Sequence, residues 1–368
     1  MNDALLIGYY GHRNTGDDAF VAVTAWGAQR FLGAQHMLAT ARHLPQCYQA
    51  PVRPLYWSER SRLRELQDRW AAARSRRIVF GGGSNFHKAQ RMEQLGQLLD
   101  RCHPGPHVAV GVSIGPFRDA AAEKACARLL GKLAFVGVRD QVSYERVREL
   151  APQVRVELTF DLAVLLAQAA GQSPQPAPTE RRGLGVALCN YERFVHGELE
   201  REPRRVAAIA EALRQVYRQD LVDEIVLIDF NGHPRYGDAA VHQALAAQLD
   251  GLPVRRLSYC ADPAAVLASL SRLRGVLAMR LHAAVFAYCA HTPCAILSYH
   301  EKCRAWADLT GHPAELVCDA AHPQAPELQA ALQTLLSGQS PCPQLPVADA
   351  VGRALLNWTG AALAGQSD

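Results

Sequence analysis

No two of the ten cysteines stand in a C-x-x-C pair. They are scattered along 368 residues, most in apolar surroundings where a thiol behaves as a small hydrophobe. That scatter excludes a disulfide scaffold, fits a reducing compartment, and offers no spacing for a structural zinc site despite 14 histidines. A strong charge of one sign is also lacking. The formal net charge is +4, and nothing suggests nucleic acid as a partner, which would want a clustered basic face. One arginine-rich stretch, with Arg60, Arg62, Arg64 and Arg69, is interleaved with Glu59, Glu65 and Asp68 and reads as a solvated helix face. The longest apolar stretch, residues 276–299, is interrupted by Arg280, His282 and His291, so no membrane span is expected. The first apolar run, from Ala4 to Ile7, has no basic region ahead of it and reads as a core strand, not a signal peptide. A soluble, cytoplasmic protein follows as the expectation. Low-complexity tracts and short repeats are absent too.

What is present is an ordinary globular mixture, 49% hydrophobic and 20% charged, in a chain long enough for two domains. Short apolar runs alternate with amphipathic helical segments almost from end to end, the pattern of βα units and a mostly parallel sheet. In the first half, strands are expected at 4–9, 77–80, 108–113, 135–138 and 156–159, with helices at 19–31, 92–100, 120–133 and 142–150. The Pro-rich, aperiodic residues 171–182 read as a linker. The alternation then restarts, with strands at 183–189, 224–229, 253–258, 275–279 and 294–298 and helices at 204–217, 239–249, 263–273, 281–289 and 303–309. The expected division is therefore residues 1–170, a linker, residues 183–345, and a last helix within 346–368 packing back on the first half. The fold class expected is α/β, two doubly wound Rossmann-like domains with a cleft between them.

Ligands of open parallel sheets bind beyond the carboxyl ends of strands, so the residues there carry the functional argument. The first strand runs into Gly8-Tyr9-Tyr10-Gly11-His12-Arg13-Asn14-Thr15-Gly16-Asp17-Asp18, a loop suited either to a ligand oxygen or simply to a turn, with Asp17 or Asp18 capping the next helix. It is neither a P-loop nor a dinucleotide fingerprint. Gly81, Gly82 and Gly83 follow a strand expected to end at Phe80 and would leave backbone amides open to a phosphate. Ser113 can donate a hydrogen bond from another strand-to-turn exit. Arg139 is either a guanidinium for a carboxylate or phosphate, or the ion-pair partner of Asp140 or Asp161. The most informative segment is Met279-Arg280-Leu281-His282, where a buried strand ends and an apolar helix opens at once. Both polar residues then sit at a helix N-terminus, which favours anions, and the segment itself contains no acid to pair with Arg280. A histidine there can act as a proton donor to a bound anion; the other reading is a core histidine bonded to a carbonyl, with Arg280 in a salt bridge. Lys302, after Ser298-Tyr299-His300-Glu301, adds a second cation or is merely exposed.

In order, these segments resemble the polysaccharide pyruvyl transferase family. The match rests on Gly8-Tyr9-Tyr10-Gly11, Asn14-Thr15-Gly16-Asp17, Gly81-Gly82-Gly83, Gly111 to Pro116, Arg139-Asp140 with Ser143, Asp161, Arg280-Leu281-His282, and Ser298-Tyr299 with Lys302. The chain departs from the pattern at His300-Glu301, where a compact Asp-Pro-type turn is expected, and at Asp18, where glutamate is frequent. The resemblance implies a glycosyltransferase-B-like fold and transfer of pyruvyl from phosphoenolpyruvate to the hydroxyls of a sugar or glycan, normally as a cyclic ketal. It implies a donor site including Arg139, Arg280, Leu281 and His282, with no metal or redox cofactor. On chemical grounds His282 is the candidate acid and Asp17 the candidate base, with Gly82, Gly83, Ser113 and Lys302 as further donor contacts. A lipid-linked acceptor would bring the enzyme to a membrane surface. A nucleotide-sugar glycosyltransferase and a non-catalytic ligand-sensing protein are the alternatives on the same architecture.

Overall fold

Leucine, isoleucine and valine runs of four or five residues form strands here because helices cover both faces of each sheet, so the strands need no polar side. The computed structural model describes all residues except 47–49, 58–60, 173–179, 196 and 366–368, and all side chains among these except those of residues 61, 85, 194 and 195. The expected linker falls largely outside the described residues. Two compact units result: Met1–His12, Gly16–Pro174 and Ala348–Asp368 form one, and Arg13–Thr15 with Gln175–Val347 form the other.

The first unit holds a parallel sheet of β1 (Ala4–Ile7), β2 (Met37–Ala39), β3 (Val52–Pro54), β4 (Ile78–Phe86), β5 (Val108–Ile114), β6 (Phe135–Val138) and β7 (Arg155–Leu158), in the order β3-β2-β1-β4-β5-β6-β7. The second holds β8 (Leu184–Ala187), β9 (Ile225–Ile228), β10 (Val254–Leu257), β11 (Gly275–Ala278), β12 (Cys294–Ser298) and β13 (Val317–Asp319), in the order β10-β9-β8-β11-β12-β13. Each chain path runs outward for three strands, then returns to pair beside its first. The order reverses between β1 and β4 and again between β8 and β11, and these switch points are where a doubly wound sheet opens a crevice for ligands.

Several boundaries differ from the sequence reading for identifiable reasons. β4 does not stop at Phe80 but continues to Phe86, with a register shift against β5 between Gly83 and Phe86. Gly81 and Gly82 lie within the strand because the helix Thr15–Leu32 packs directly on it. A Cβ on Gly82 would stand 2.5 Å from the Phe20 ring, and one on Gly81 2.0 Å from the Thr24 hydroxyl, both on that helix. That helix begins at Thr15, so Asp17 and Asp18 occupy its first turn instead of its cap, where their charges still face the positive end of the dipole. β2, β3 and β13 are three residues each, too short to show a period in sequence.

The final helix, Val347–Ala364, belongs to the first unit. Its buried Asn357 accepts hydrogen bonds through Oδ1 from the Gly111 amide (2.7 Å) and the Thr159 hydroxyl (3.0 Å), and donates through Nδ2 to the Phe160 carbonyl (3.2 Å). Beside it, fully buried Trp358 fills the space left by the missing side chain of Gly27 and stacks on Phe31.

Candidate functional site

In the second unit the chemistry gathers at the carboxyl ends of β8, β11 and β12. Wholly buried β11 ends at Ala278, and two residues later Arg280 stands at the N-cap of the apolar helix Leu281–Cys289. Arg280 itself makes no side-chain cap, so the first amides of that helix are not covered by it. His282 lies in the first turn, half-buried, and Leu281 is buried behind it.

The sequence offered no acid near Arg280, but the fold supplies one from 42 residues upstream. Asp238, fully buried, accepts from Arg280 Nε at 3.0 Å on Oδ1 and 3.3 Å on Oδ2, and from Nη2 on Oδ1, so both carboxylate oxygens face the guanidinium. Burial alone would pull the Arg280 pKa down; the Asp238 carboxylate more than reverses this and keeps it above its ordinary value. Asp238 Oδ2 in turn accepts the Asn231 amide at 2.8 Å, so the loop after β9 fixes the carboxylate and the carboxylate fixes the guanidinium.

A second buried network lies beneath. His242 Nε2 accepts the Leu188 amide (3.0 Å) at the exit of β8, which leaves the proton on Nδ1, and Nδ1 donates to Asp229 Oδ1 (2.6 Å). Arg256 closes the network on Asp229 Oδ2. Burial would raise the Asp229 carboxyl, but the bonds from His242 and Arg256 hold it below its ordinary value.

Around Arg280 lie Cys189, Tyr191, Tyr299, His300 and Lys302. Tyr191 meets Tyr299 edge to face at 4.7 Å, and Lys302 Nζ stands 5.5 Å from the centre of the Tyr299 ring. Burial pushes the Cys189 thiol up to about 12 and raises Tyr299 well above the ordinary tyrosine range, so both stay neutral near Arg280. The imidazole of His300 caps the helix Glu301–Thr310 by accepting the Lys302 amide, which replaces the turn that the family pattern leads one to expect. Burial, then Lys302, lowers its pKa. Arg280, His282 and Lys302 thus share one corner of the second unit, which also takes in Arg13–Thr15: the Thr15 amide donates to the Phe230 carbonyl at 2.9 Å.

In the first unit the corresponding strand ends bring Ser84, Ser113, Arg139, Asp140 and Asp161 together. Arg139 pairs with Asp161 at 2.7 Å, donates through Nε to Ser113 Oγ at 2.7 Å, and reaches Ser84 Oγ at 3.5 Å. The Ser113 hydroxyl donates to Asp140 Oδ2 (2.8 Å), while Asp140 Oδ1 caps the helix Gln141–Leu150. The ion pair with Asp161, one of the partners expected for Arg139, is present. Gly82 is buried against Phe20, so its lack of a side chain serves packing; Gly83, with φ 81°, needs glycine for its backbone and is half-buried. Asp17 is half-buried, close enough to Tyr9 for its charge to add to the burial that raises that phenol. A surface cavity of this unit, lined by Leu99, His107, Lys132, Ala134 and Ala364, lies at the amino-terminal ends of β5 and β6, the edge of a parallel sheet that does not carry ligands.

Sequence reasoning missed Asp238, Asn231 and the Asp229–His242 pair. The signal was there in Asn231-Gly232-His233-Pro234-Arg235-Tyr236-Gly237-Asp238, a turn-rich segment following an expected strand. Among the described residues no group of His, Cys, Asp and Glu is arranged to hold a metal ion.

No curated protein sequence matches the chain. Among solved structures, a UDP-GlcNAc 2-epimerase from Neisseria meningitidis, bound to UDP-GlcNAc, is similar with a TM-score of 0.64 at 10% identity, covering 99% of this chain and 100% of that one. The UDP-GlcNAc 2-epimerase of Methanocaldococcus jannaschii is similar with a TM-score of 0.59 at 10% identity, covering 92% and 93%. At such identity the likeness is one of fold: two Rossmann-like domains of the glycosyltransferase-B type. The family profile for polysaccharide pyruvyl transferase matches residues 14–301, well over half of the chain and both sets of strand ends described above. The chain therefore belongs to the polysaccharide pyruvyl transferase family, transferases that place pyruvyl groups on polysaccharide.

Proposed function

We propose that the chain transfers the pyruvyl unit of phosphoenolpyruvate to two hydroxyls of one sugar, in a polysaccharide or its free or lipid-linked precursor, and releases phosphate. The setting we propose is the cytoplasm. The observation that carries the reading is the switch-point corner of the second unit, where Arg280, His282 and Lys302 gather at the N-terminus of an apolar helix. Phosphoenolpyruvate brings a phosphate and a carboxylate, and that corner offers fixed cations and helix amides to a dianionic ligand. Asp238 takes the Nε and Nη2 edge of Arg280, so the donor contact falls to Nη1.

The chemistry asks for one acid and one base. The first hydroxyl oxygen bonds to C2 of the donor while C3 takes a proton, which we assign to His282. Phosphate then leaves C2 with the C–O electron pair, and the second hydroxyl closes the ketal. Two hydroxyl protons are released in all; one replaces the proton given to C3 and the other leaves with phosphate. Asp17 is the proposed carrier of hydroxyl protons, and Arg280 and Lys302 stabilise the departing phosphate. We assign Arg139 and Ser113 to a second set of donor or acceptor contacts in the first unit, with Gly82 and Gly83 shaping the strand end beside them. The test is phosphate release from phosphoenolpyruvate against a panel of free and lipid-linked glycans. Release that requires both donor and one class of glycan is expected. Binding of a nucleoside diphosphate by calorimetry, with no release on any glycan, would overturn the assignment.

A further inference from the structure

The helix Ser61–Ala73 turns two unlike faces to its surroundings. Gln67, Asp68, Ala71 and Ala72 are buried, and the Asp68 carboxylate accepts the Tyr56 hydroxyl at 2.8 Å, which anchors the helix to the first unit. The opposite stripe, at helical spacing, is Arg62, Leu66, Arg69 and Trp70. Leu66 is 59% exposed and Trp70 49%, and Trp57, just before the helix, is 70% exposed. Large apolar side chains at this exposure, grouped within one stretch, are not the scattered singles of an ordinary surface.

Charge marks the same place. Residues 62–77 contain six arginines, no lysine and two acids, a net +4 that equals the net charge of the entire chain. One of the two acids, Asp68, is buried, so the outward charge is more one-sided than the sequence count. Arg74 lies over the Trp70 ring at 5.1 Å, a cation set against an aromatic body. The fold sorts part of this charge: Arg62, Arg69, Arg74, Trp57 and Trp70 stand outward together with Glu65, while Asp68 turns in.

We propose that Trp57 and the outer stripe of the helix Ser61–Ala73 form a surface that docks on the anionic headgroups of a lipid bilayer. Tryptophan and leucine enter the boundary between headgroup and acyl chain, and Arg62, Arg69 and Arg74 meet lipid phosphates. Among the described residues no helix is long and apolar enough to cross a membrane, so the contact is peripheral. The docking does not depend on the identity of the donor.

The experiment is co-sedimentation of the full chain with phosphatidylcholine vesicles, with and without phosphatidylglycerol. Binding to the anionic vesicles alone is expected, weakening as salt is raised. Arg62→Gln with Arg69→Gln should lower partitioning by about fivefold for each arginine removed. Trp57→Ser with Trp70→Ser should lower it as well, at unchanged salt dependence and with an unchanged melting temperature, because both rings are outside the core. Equal partitioning onto neutral vesicles, no binding to either, or variants that bind like the parent would overturn the proposal. So would a dimer in sedimentation velocity that Trp70→Ser dissociates, since a second copy would then be the occupant.

Discussion

Removing Arg280 leaves Asp238 fully buried without its counter-ion, so the residue proposed to hold the donor also holds the fold. Breaking a buried pair from one side costs about 3–5 kcal/mol. Arg280→Ala should therefore lose stability on that scale in urea unfolding, as well as affinity for phosphoenolpyruvate. Arg280→Lys separates the two effects. It restores a charge to Asp238 but not the planar fork, so it should recover part of the stability while donor binding stays weaker by about 1.5–3 kcal/mol. An Arg280→Ala protein as stable as the parent would show that Asp238 is content without the guanidinium. The identity of this partner was not legible in sequence: the strand end that presents Arg280 could be read from its apolar run, whereas Asp238 lies in a different loop and only the β9-β8-β11 order brings the two together.

At the scale of elements, His107 shows how a strand start can depend on protonation. Its Nδ1 accepts the amide of Ile78, the first residue of β4, at 3.1 Å and must therefore be unprotonated. Burial, then the charge of Arg77, lowers its pKa from 6.5 to about 4. Between these values the unfolded chain binds a proton that the folded chain refuses, so stability is full above about pH 6.5 and falls as pH drops toward 4. His87, His300 and His312 are lowered too and act in the same direction. His107→Asn keeps an acceptor and removes the titration. Unfolding in urea at about pH 7 and about pH 5 should show the acid-dependent loss reduced by roughly 2 kcal/mol in this variant. An identical loss in both proteins would put the acid sensitivity elsewhere. Elements with a clear period were legible from the residues: the strand Cys294–Ser298 and the helix Leu281–Cys289 have the bounds their apolar runs suggest. β4 was not, because three glycines signal a loop when read alone, and a close helix contact once Phe20 and Thr24 are seen against Gly82 and Gly81.

At the scale of the molecule, the same strand logic is used twice. Each unit sends three strands outward and returns beside the first; Arg280 and Asp238 meet at the switch point of the second unit, and Arg139 and Asp161 meet at the ends of β6 and β7 in the first. Alternating apolar runs made that architecture readable, and ordered motifs of low individual weight made the family readable over residues 14–301. The pairing of Arg139 with Asp161 and of Arg280 with Asp238 was less so, since a side chain's partner depends on which strands become neighbours. The β11 corner is proposed as the place where the donor reacts, with His282 as its acid. This is tested by steady-state kinetics and a phosphoenolpyruvate binding isotherm on the same His282→Gln protein. Glutamine keeps a hydrogen-bond donor of similar reach but cannot transfer a proton, so turnover should fall by about 10²–10⁴-fold while donor affinity changes far less. Near-normal turnover, or a loss of affinity as large as the loss of turnover, would contradict it.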